Sequence, residues 1–190
     1  MDAPDFQLYH MIDLPAELCD VALNTFTDLP IHDAELAYAD GPAEDHAGRD
    51  STLRFPPMSH WLSDIMYSHA VDANETCGWN FDIDGHESLQ VAAYGPGQHF
   101  DWHIDTMLFS NRERDRKITC IVLLTDPAEF TGGNLNVMNP RRSLVNPSTD
   151  VGLVKGSMIA FPSFAMHGVE PVVSGLRQTA TLWLSGARFR

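Results

Sequence analysis

Apolar residues recur with a helical period in the N-terminal third of the chain. In "LPAELCDVALNTFTDL" the residues Leu18, Ala22 and Phe26 are spaced four apart, which places them on one face of a helix. The stretch "SHWLSDIMYSHA" repeats this pattern, and residues 37 to 50 between the two stretches have no periodicity. We therefore predict that residues 1 to 78 form a mainly helical support layer with one exposed loop.

From Trp79 onward the pattern changes to short apolar runs separated by turn residues. Asp84 and Gly85 predict a hairpin turn between "WNFDI" and "ESLQVAAY". Many short strands of this kind are typical of a β-sandwich or barrel. With no internal repeat or linker, we expect one domain over residues 1 to 190, whose β core spans 79 to 186. The other predicted strands cover residues 99–105, 117–125, 134–138, 151–154, 157–161, 167–173 and 177–184.

Composition narrows the class of function. The chain has 26 acidic and 12 basic residues, a formal charge of −14, which makes nucleic acid an unlikely partner. Its three cysteines form no CxxC pair, so we expect a reducing, cytoplasmic location. Since no apolar run approaches the roughly 18 residues of a membrane span, we expect no membrane association. A monomer or weak oligomer is the simplest expectation.

The stretch "HFDWHIDT", residues 99 to 106, places four polar residues at alternate positions. In an extended strand their side chains point to one face, which is either the wet side of a sheet or part of a site. Two of them, His103 and Asp105, bring an imidazole and a carboxylate within roughly 6 to 7 Å of each other. The other two, His99 and Asp101, we interpret as solvated residues at the edge of the site.

A third ligand and a cation follow later in the chain. His167 begins an apolar strand in "FPSFAMHGVEPV". Two histidines and one carboxylate are the facial triad typical of non-haem Fe(II) oxygenases, which leaves open positions on the metal. Ten residues further on, Arg177 offers a guanidinium that can bind a carboxylate through two parallel hydrogen bonds.

These residues and their surroundings resemble the Fe(II)- and 2-oxoglutarate-dependent dioxygenases, and among them the prolyl 4-hydroxylase-like group. The resemblance implies a double-stranded β-helix, a jelly-roll or cupin-like core, which agrees with the strand count. It covers roughly residues 80 to 186. The matching pieces are "YGPGQHFDWHID", "RKITCIVLLT", "TGGNLNV", "KGSMIAFPSFAMHGVEPV" and "GLRQTATLW".

The resemblance also implies the roles of individual residues. It places Fe(II) on His103, Asp105 and His167, and pairs the 5-carboxylate of 2-oxoglutarate with Arg177. Tyr94 would donate a hydrogen bond to this cosubstrate. Four residues beyond Arg177 in the same strand, Thr181 shares its face and is expected to line the same pocket. The cofactors implied are Fe(II), 2-oxoglutarate and O₂, with ascorbate as an optional reductant.

The implied reaction is hydroxylation of an aliphatic C–H bond with release of succinate and CO₂. Asp105 favours hydroxylation, because relatives that chlorinate carry a small residue there. Our first hypothesis for the substrate is a prolyl residue in a peptide or protein, and the negative charge favours basic peptides. Two alternatives stay open: a hydroxylase of a free amino acid or other small molecule, and a catalytically silent metal-binding module of the same fold.

Several further positions have predicted roles near the substrate or the cosubstrate. In the loops over 107–116 and 139–150, whose roles stay open, the segments "NRERDR" (111–116) and "NPRRS" (139–143) are either solvated loops or, for one of them, a cover over the substrate. Arg54 in "RDSTLRF" is interpreted as facing the substrate. Trp183 stands where nucleic-acid demethylases of this superfamily have a second arginine, and we interpret it as a core residue. Leu123 occupies the position at which oxygen-sensing relatives have a cosubstrate-binding tyrosine.

Overall fold

The computed structural model describes residues 7–34, 48–106, 113–139 and 148–189. Two α-helices lie in this part of the chain, α1 (Ala16–Phe26) and α2 (Trp61–Thr76). His60 caps the start of α2, because its side chain accepts a hydrogen bond from the backbone N–H of Leu62. Neither helix is long and apolar enough to cross a membrane.

Antiparallel strands are the commonest regular element of the described chain. They form an eight-stranded major sheet in the order β1-β12-β8-β15-β6-β4-β2 with β5 beside β15, a five-stranded minor sheet in the order β11-β10-β13-β7-β3, and the separate ribbon β14-β9. The strands are β1 (His10–Asp13), β2 (His32–Asp33), β3 (Arg49–Asp50), β4 (Thr52–Arg54), β5 (Gly85–His86), β6 (Gln90–Tyr94), β7 (His99–His103), β8 (Arg114–Leu123), β9 (Phe130–Gly132), β10 (Leu135–Met138), β11 (Ser148–Asp150), β12 (Ser157–Pro162), β13 (His167–Val169), β14 (Val172–Gly175) and β15 (Arg177–Ala187).

Side-chain alternation divides the major sheet into two faces. On β15 the buried Ala180, Leu182 and Leu184 belong to the same core cluster as the buried residues of α1 and α2. On β12 the buried Ile159 and Phe161 belong to a second cluster shared with the minor sheet. The helices therefore cover one face of the major sheet, and the minor sheet covers the other. This arrangement confirms the predicted jelly-roll core with a helical layer.

In the described part of residues 1 to 78, the two predicted helices are present and short strands accompany them. Besides the two helices, this segment contains β1, β2, β3 and β4. Their pairing explains why these strands form: β1 pairs with β12, β4 with β6, and β3 with β7. Each of these core strands would otherwise present an unpaired sheet edge, so the N-terminal segment satisfies backbone groups that the core strands leave open.

The hairpin predicted at Asp84 and Gly85 is wrong. Residues 79 to 83 form no strand, because the Asn74 side chain of α2 binds both the backbone N–H and the carbonyl of Phe81, each at 2.9 Å. The following strand β5 pairs with β15 instead.

Two other strand predictions differ from the structure. Residues 151 to 154 form no strand, and the pairing with β10 is made by β11 just before them. Residues 167 to 173 divide into β13 and β14, which belong to different sheets. Pro171 lies at the division, where it has no N–H to donate to a continuous ladder.

Candidate metal centre and cosubstrate pocket

Strand pairing brings the two predicted histidine ligands together. His103 at the end of β7 lies directly opposite His167 at the start of β13, and their ring centroids are 4.2 Å apart. Asp105 follows two residues after β7, where its backbone N–H donates to the Ser163 carbonyl at 2.8 Å. One ligand atom from each of the three residues lies within 4.8 Å of the others.

Both imidazoles are oriented by backbone carbonyls. Nδ1 of His103 lies 2.7 Å from the Asp101 carbonyl, and Nδ1 of His167 lies 2.9 Å from the Ala165 carbonyl. A carbonyl only accepts, so each neutral ring carries its proton on Nδ1 and keeps the lone pair on Nε2. Burial, with a smaller effect from His167, lowers the pKa of His103 to about 4, so this ring is neutral at pH 7.

The carboxylate of Asp105 faces these nitrogens. Its oxygens lie 3.7 Å from Nε2 of His103 and 3.4 Å from Nε2 of His167. Burial acts to raise the pKa of Asp105, but the histidines, Arg116 and a 2.7 Å hydrogen bond from Thr119 outweigh it and hold the pKa below its ordinary value. Two imidazoles and one carboxylate around one point fit a divalent metal ion such as Fe(II).

Arg177 lies at the other side of the same cavity. It is 2 % exposed, and its register partner on β6 is Tyr94. Burial lowers the pKa of Arg177. Because no carboxylate of the described residues pairs with this guanidinium, it fits the carboxylate of a bound cosubstrate. Thr181, opposite Gln90 in the register, lines the cavity on the same strand face.

The turn at Gly132 and Gly133 leaves room for Arg177. Gly133 has a φ of +66°, and a Cβ built there would lie 2.9 Å from Cδ of Arg177. On this side a second cavity of about 180 Å³ also reaches Arg177, and Leu123 lines it. On β8, Ile121 lines the first cavity, and Leu123, two positions on and on the same strand face, lines the second.

The six residues predicted for the site line a single cavity. They are Tyr94, His103, Asp105, His167, Arg177 and Thr181. His99 and Asp101 do not line it; their side chains approach each other at 3.6 Å. Residues 107 to 112 and 140 to 147, which belong to the loops over 107–116 and 139–150, lie outside the described residues.

The predictions for Trp183 and Arg54 have different outcomes. Trp183 is buried, as expected of a core residue, and it also lines the cavity, with the guanidinium carbon of Arg116 3.9 Å from its ring centroid. Trp183 lies six positions after Arg177 in β15, so both side chains are on the same face of that strand. Arg54 does not face this cavity; it lines a separate one with Leu23 and Phe26.

Arg49 and Phe100 line the cavity and were missed by the sequence reasoning. Phe100 stacks on His103 with ring centroids 3.5 Å apart and an interplanar angle of 14°. Arg49 lies opposite Phe100 in the register and places its guanidinium carbon 4.6 Å from that ring centroid. The alternation of "HFDWHIDT" assigns Phe100 to the other face, and a β-bulge between β7 and β13 at this point breaks that assignment.

Comparison of this chain with known proteins identifies the family to which it belongs. The family model of the 2OG-Fe(II) oxygenase superfamily matches residues 89–185. The chain belongs to this superfamily. The matched region contains the histidines, the aspartate and the arginine that converge in the cavity, and the family name agrees with the cofactors expected from the sequence, Fe(II) and 2-oxoglutarate, which with O₂ are those of an oxygenase of this kind.

Curated relatives of this superfamily include a PKHD-type hydroxylase of Herminiimonas arsenicoxydans, which is 34% identical over 95 residues, or 48% of this chain and 40% of the relative. Another, from Synechococcus sp. strain CC9902, is 28% identical over 128 residues, or 67% of this chain and 54% of the relative. The matches therefore span only about half the length of these relatives.

Solved structures show the same fold. A viral collagen prolyl hydroxylase from Paramecium Bursaria Chlorella virus-1 superposes with a TM-score of 0.69 at 22% identity, covering 97% of this chain and 99% of that one. A Trichoplax adhaerens prolyl hydroxylase in complex with a hypoxia inducible factor peptide gives a TM-score of 0.70 at 19% identity, covering 93% and 83%.

Proposed function

We propose that this protein is an Fe(II)- and 2-oxoglutarate-dependent dioxygenase that hydroxylates an aliphatic C–H bond, with a prolyl residue of a peptide or protein as the substrate. One observation carries the proposal. The ligand atoms of His103, Asp105 and His167 lie within 4.8 Å of one another, in the cavity that also holds Arg177 without a carboxylate partner among the described residues.

The chain's own residues have separate tasks in this proposal. His103, Asp105 and His167 would hold Fe(II), and Arg177 with Tyr94 would hold the 2-oxoglutarate carboxylate. When bound, these cofactors supply oxidative chemistry in which 2-oxoglutarate and O₂ yield succinate, CO₂ and one oxygen atom for the substrate carbon. Thr119 keeps the Asp105 carboxylate in position, and the buried surroundings of the site exclude bulk water.

The prolyl substrate is supported by the relatives. The viral and Trichoplax structures are named as prolyl hydroxylases, and the latter holds a peptide. Trp183 in the cavity adds an apolar wall, and its indole N–H has no hydrogen-bond partner among the described residues. Such a wall suits a ring-shaped aliphatic residue, while the indole N–H offers a donor for a neighbouring carbonyl.

A product assay tests the proposal. The protein with Fe(II), 2-oxoglutarate, O₂ and a proline-containing peptide library should release succinate and give a peptide 16 Da heavier. His103→Ala should reduce both products at least 100-fold, because a metal ligand is lost. Full activity in that variant would refute the assignment of the three metal ligands. Absence of succinate from the wild-type protein would favour a catalytically silent metal-binding module.

Arg177→Lys tests the cosubstrate assignment separately. The lysine keeps the charge but loses the paired hydrogen bonds, so the KM for 2-oxoglutarate should rise about tenfold or more. Steady-state succinate formation measures this value. An unchanged KM would show that the cosubstrate binds elsewhere.

We further propose a cytoplasmic location, which is supported by three free, buried cysteines.

A further inference from the structure

Arg49 is held beside the metal centre by uncharged groups. Its Nε donates to the Ser51 hydroxyl at 3.0 Å, and its guanidinium lies against Phe100, the ring that stacks on His103. It lines the same cavity as Arg177. These contacts fix the position of the guanidinium while leaving its terminal nitrogens available.

Arg114 and Arg116 have carboxylate partners, whereas Arg49, like Arg177, has none in the described part of the chain. Arg116 donates to both Glu87 oxygens at 2.8 and 2.6 Å, and Arg114 pairs with Asp84. Asp50, the residue next to Arg49, is engaged elsewhere, because its carboxylate accepts a hydrogen bond from Gln98 at 2.7 Å.

Charge balance in the loaded cavity isolates Arg49 further. A divalent metal and the 2-oxoglutarate dianion cancel, and the one negative charge of Asp105 offsets one of the two arginines that line the cavity. Arg116, which is not among the lining residues, pairs with Glu87 at 2.6 Å and approaches Asp105 at 4.0 Å. Among the lining residues one positive charge therefore remains, and Arg49 carries it because Arg177 is assigned to the cosubstrate carboxylate. A substrate that brings one carboxylate to this position neutralises it.

We propose that Arg49 is a specificity-determining residue that binds a carboxylate of the substrate close to the carbon to be hydroxylated. This inference rests on the proposed function and deepens it. The carboxylate belongs either to an Asp or Glu side chain adjacent to the target residue in a peptide, or to the α-carboxyl group of a free amino acid. This proposal reverses the expectation that the negative net charge favours basic peptides. At contact distance, the guanidinium of Arg49 attracts a carboxylate more strongly than the distant negative surface repels it.

Binding of matched probes tests this assignment. Isothermal titration with Mn(II) and 2-oxoglutarate present would compare acetylated, amidated pentapeptides with Asp or Asn on either side of one proline, and free L-proline with L-prolinamide. The wild type should bind the carboxylate member of one pair about tenfold more tightly, as a charge-assisted hydrogen bond predicts. A preference within the peptide pairs identifies a side-chain carboxylate, and one within the proline pair identifies an α-carboxylate.

Variants separate recognition from packing. Arg49→Gln should abolish the preference. The matched control Arg54→Gln should keep it, since it removes the same charge from a residue that lines a separate cavity. Arg49→Glu should reverse the preference toward the Asn-containing peptide or toward L-prolinamide. A purely structural effect would weaken all probes equally and would give no such reversal.

The outcomes also separate this inference from the proposed function. If the wild type does not distinguish carboxylate from amide, including by binding neither, or if Arg49→Gln keeps the preference, the inference is wrong. The 16 Da product is scored independently. Hydroxylation without a carboxylate preference would refute the role of Arg49 and leave the proposed function standing. A carboxylate preference without hydroxylation of any proline probe would refute the prolyl substrate and leave the role of Arg49 standing.

Discussion

Two backbone carbonyls decide which nitrogen each histidine presents to the site. The carbonyls of Asp101 and Ala165 take the Nδ1 protons, so both Nε2 lone pairs face Asp105. Each carbonyl belongs to the residue two positions before its histidine. Asp101, which the sequence left as a bystander, therefore contributes through its backbone, and a side-chain substitution there should have little effect on the tautomer of His103.

Thr119 offers a test of how far the metal site depends on its support. Its hydroxyl donates to Asp105 at 2.7 Å and lies 3.0 Å from the Ser163 hydroxyl. Thr119→Val keeps the shape of the side chain but leaves the buried carboxylate oxygen without this donor, so Mn(II) affinity should fall about 10- to 100-fold. Titration calorimetry measures this affinity. Thr119→Ser, which keeps the hydroxyl, should stay near the wild type; equal losses in both variants would contradict this explanation.

At the scale of elements, the turn before β12 is fixed by contact with the segment that follows β1. Gly156 has a φ of +89°, and its carbonyl accepts from the Leu14 backbone N–H at 2.8 Å. A Cβ there would lie 2.0 Å from the Leu14 carbonyl oxygen. Gly156 is therefore required both by its conformation and by the close approach of another backbone segment.

Gly156→Ala should destabilise the protein by about 3 kcal/mol or more, since backbone strain and a backbone clash add. Gly97→Ala is the matched control, because Gly97 has a similar φ of +84° and nothing within 4 Å of a built Cβ. It should lose only about 1 to 2 kcal/mol. Urea unfolding measures both values, and equal losses would show that the contact with Leu14 is not the cause.

The local pattern of apolar and polar residues correctly predicted the strands in which side chains alternate regularly between the two faces of the sheet. The run "KITCIVLLT" lies largely within β8, and the spacing of Arg177 and Thr181 correctly placed both on one face of β15. The strand prediction for residues 79–83 was wrong because the side chain of Asn74 binds backbone groups of this segment, and the apolar pattern of a strand does not reveal such a contact. Arg49 was missed because pairing between β3 and β7 brings it to the site from 54 positions before His103.

At the scale of the whole molecule, stability depends on the protonation of buried histidines. The pKa of His103 is lowered from 6.5 to about 4, and burial also lowers the pKa of His69 and His60. Between pH 4 and 6.5 the unfolded chain binds a proton at residue 103 that the folded chain does not bind. The free energy of unfolding therefore rises with pH across this window.

We expect the metal-free protein to lose on the order of 3 kcal/mol of stability through His103 between pH 7.5 and pH 4. Urea unfolding midpoints in the presence of a chelator would measure this loss. His103→Asn should flatten the slope between pH 6.5 and 4. A wild-type midpoint that is constant from pH 7.5 to 5 would contradict the expectation.

The segment 48–54 joins both sheets, because β3 pairs with the minor sheet and β4 with the major one, with Ser51 between them. It lies outside the family-matched region 89–185, which contains the metal and cosubstrate residues. Arg49, the residue proposed to select the substrate, therefore lies in a different stretch of the sequence from the proposed metal and cosubstrate residues. Under that proposal, chimeras that exchange residues 48 to 54 should change substrate selectivity while His103, Asp105, His167 and Arg177 stay in place.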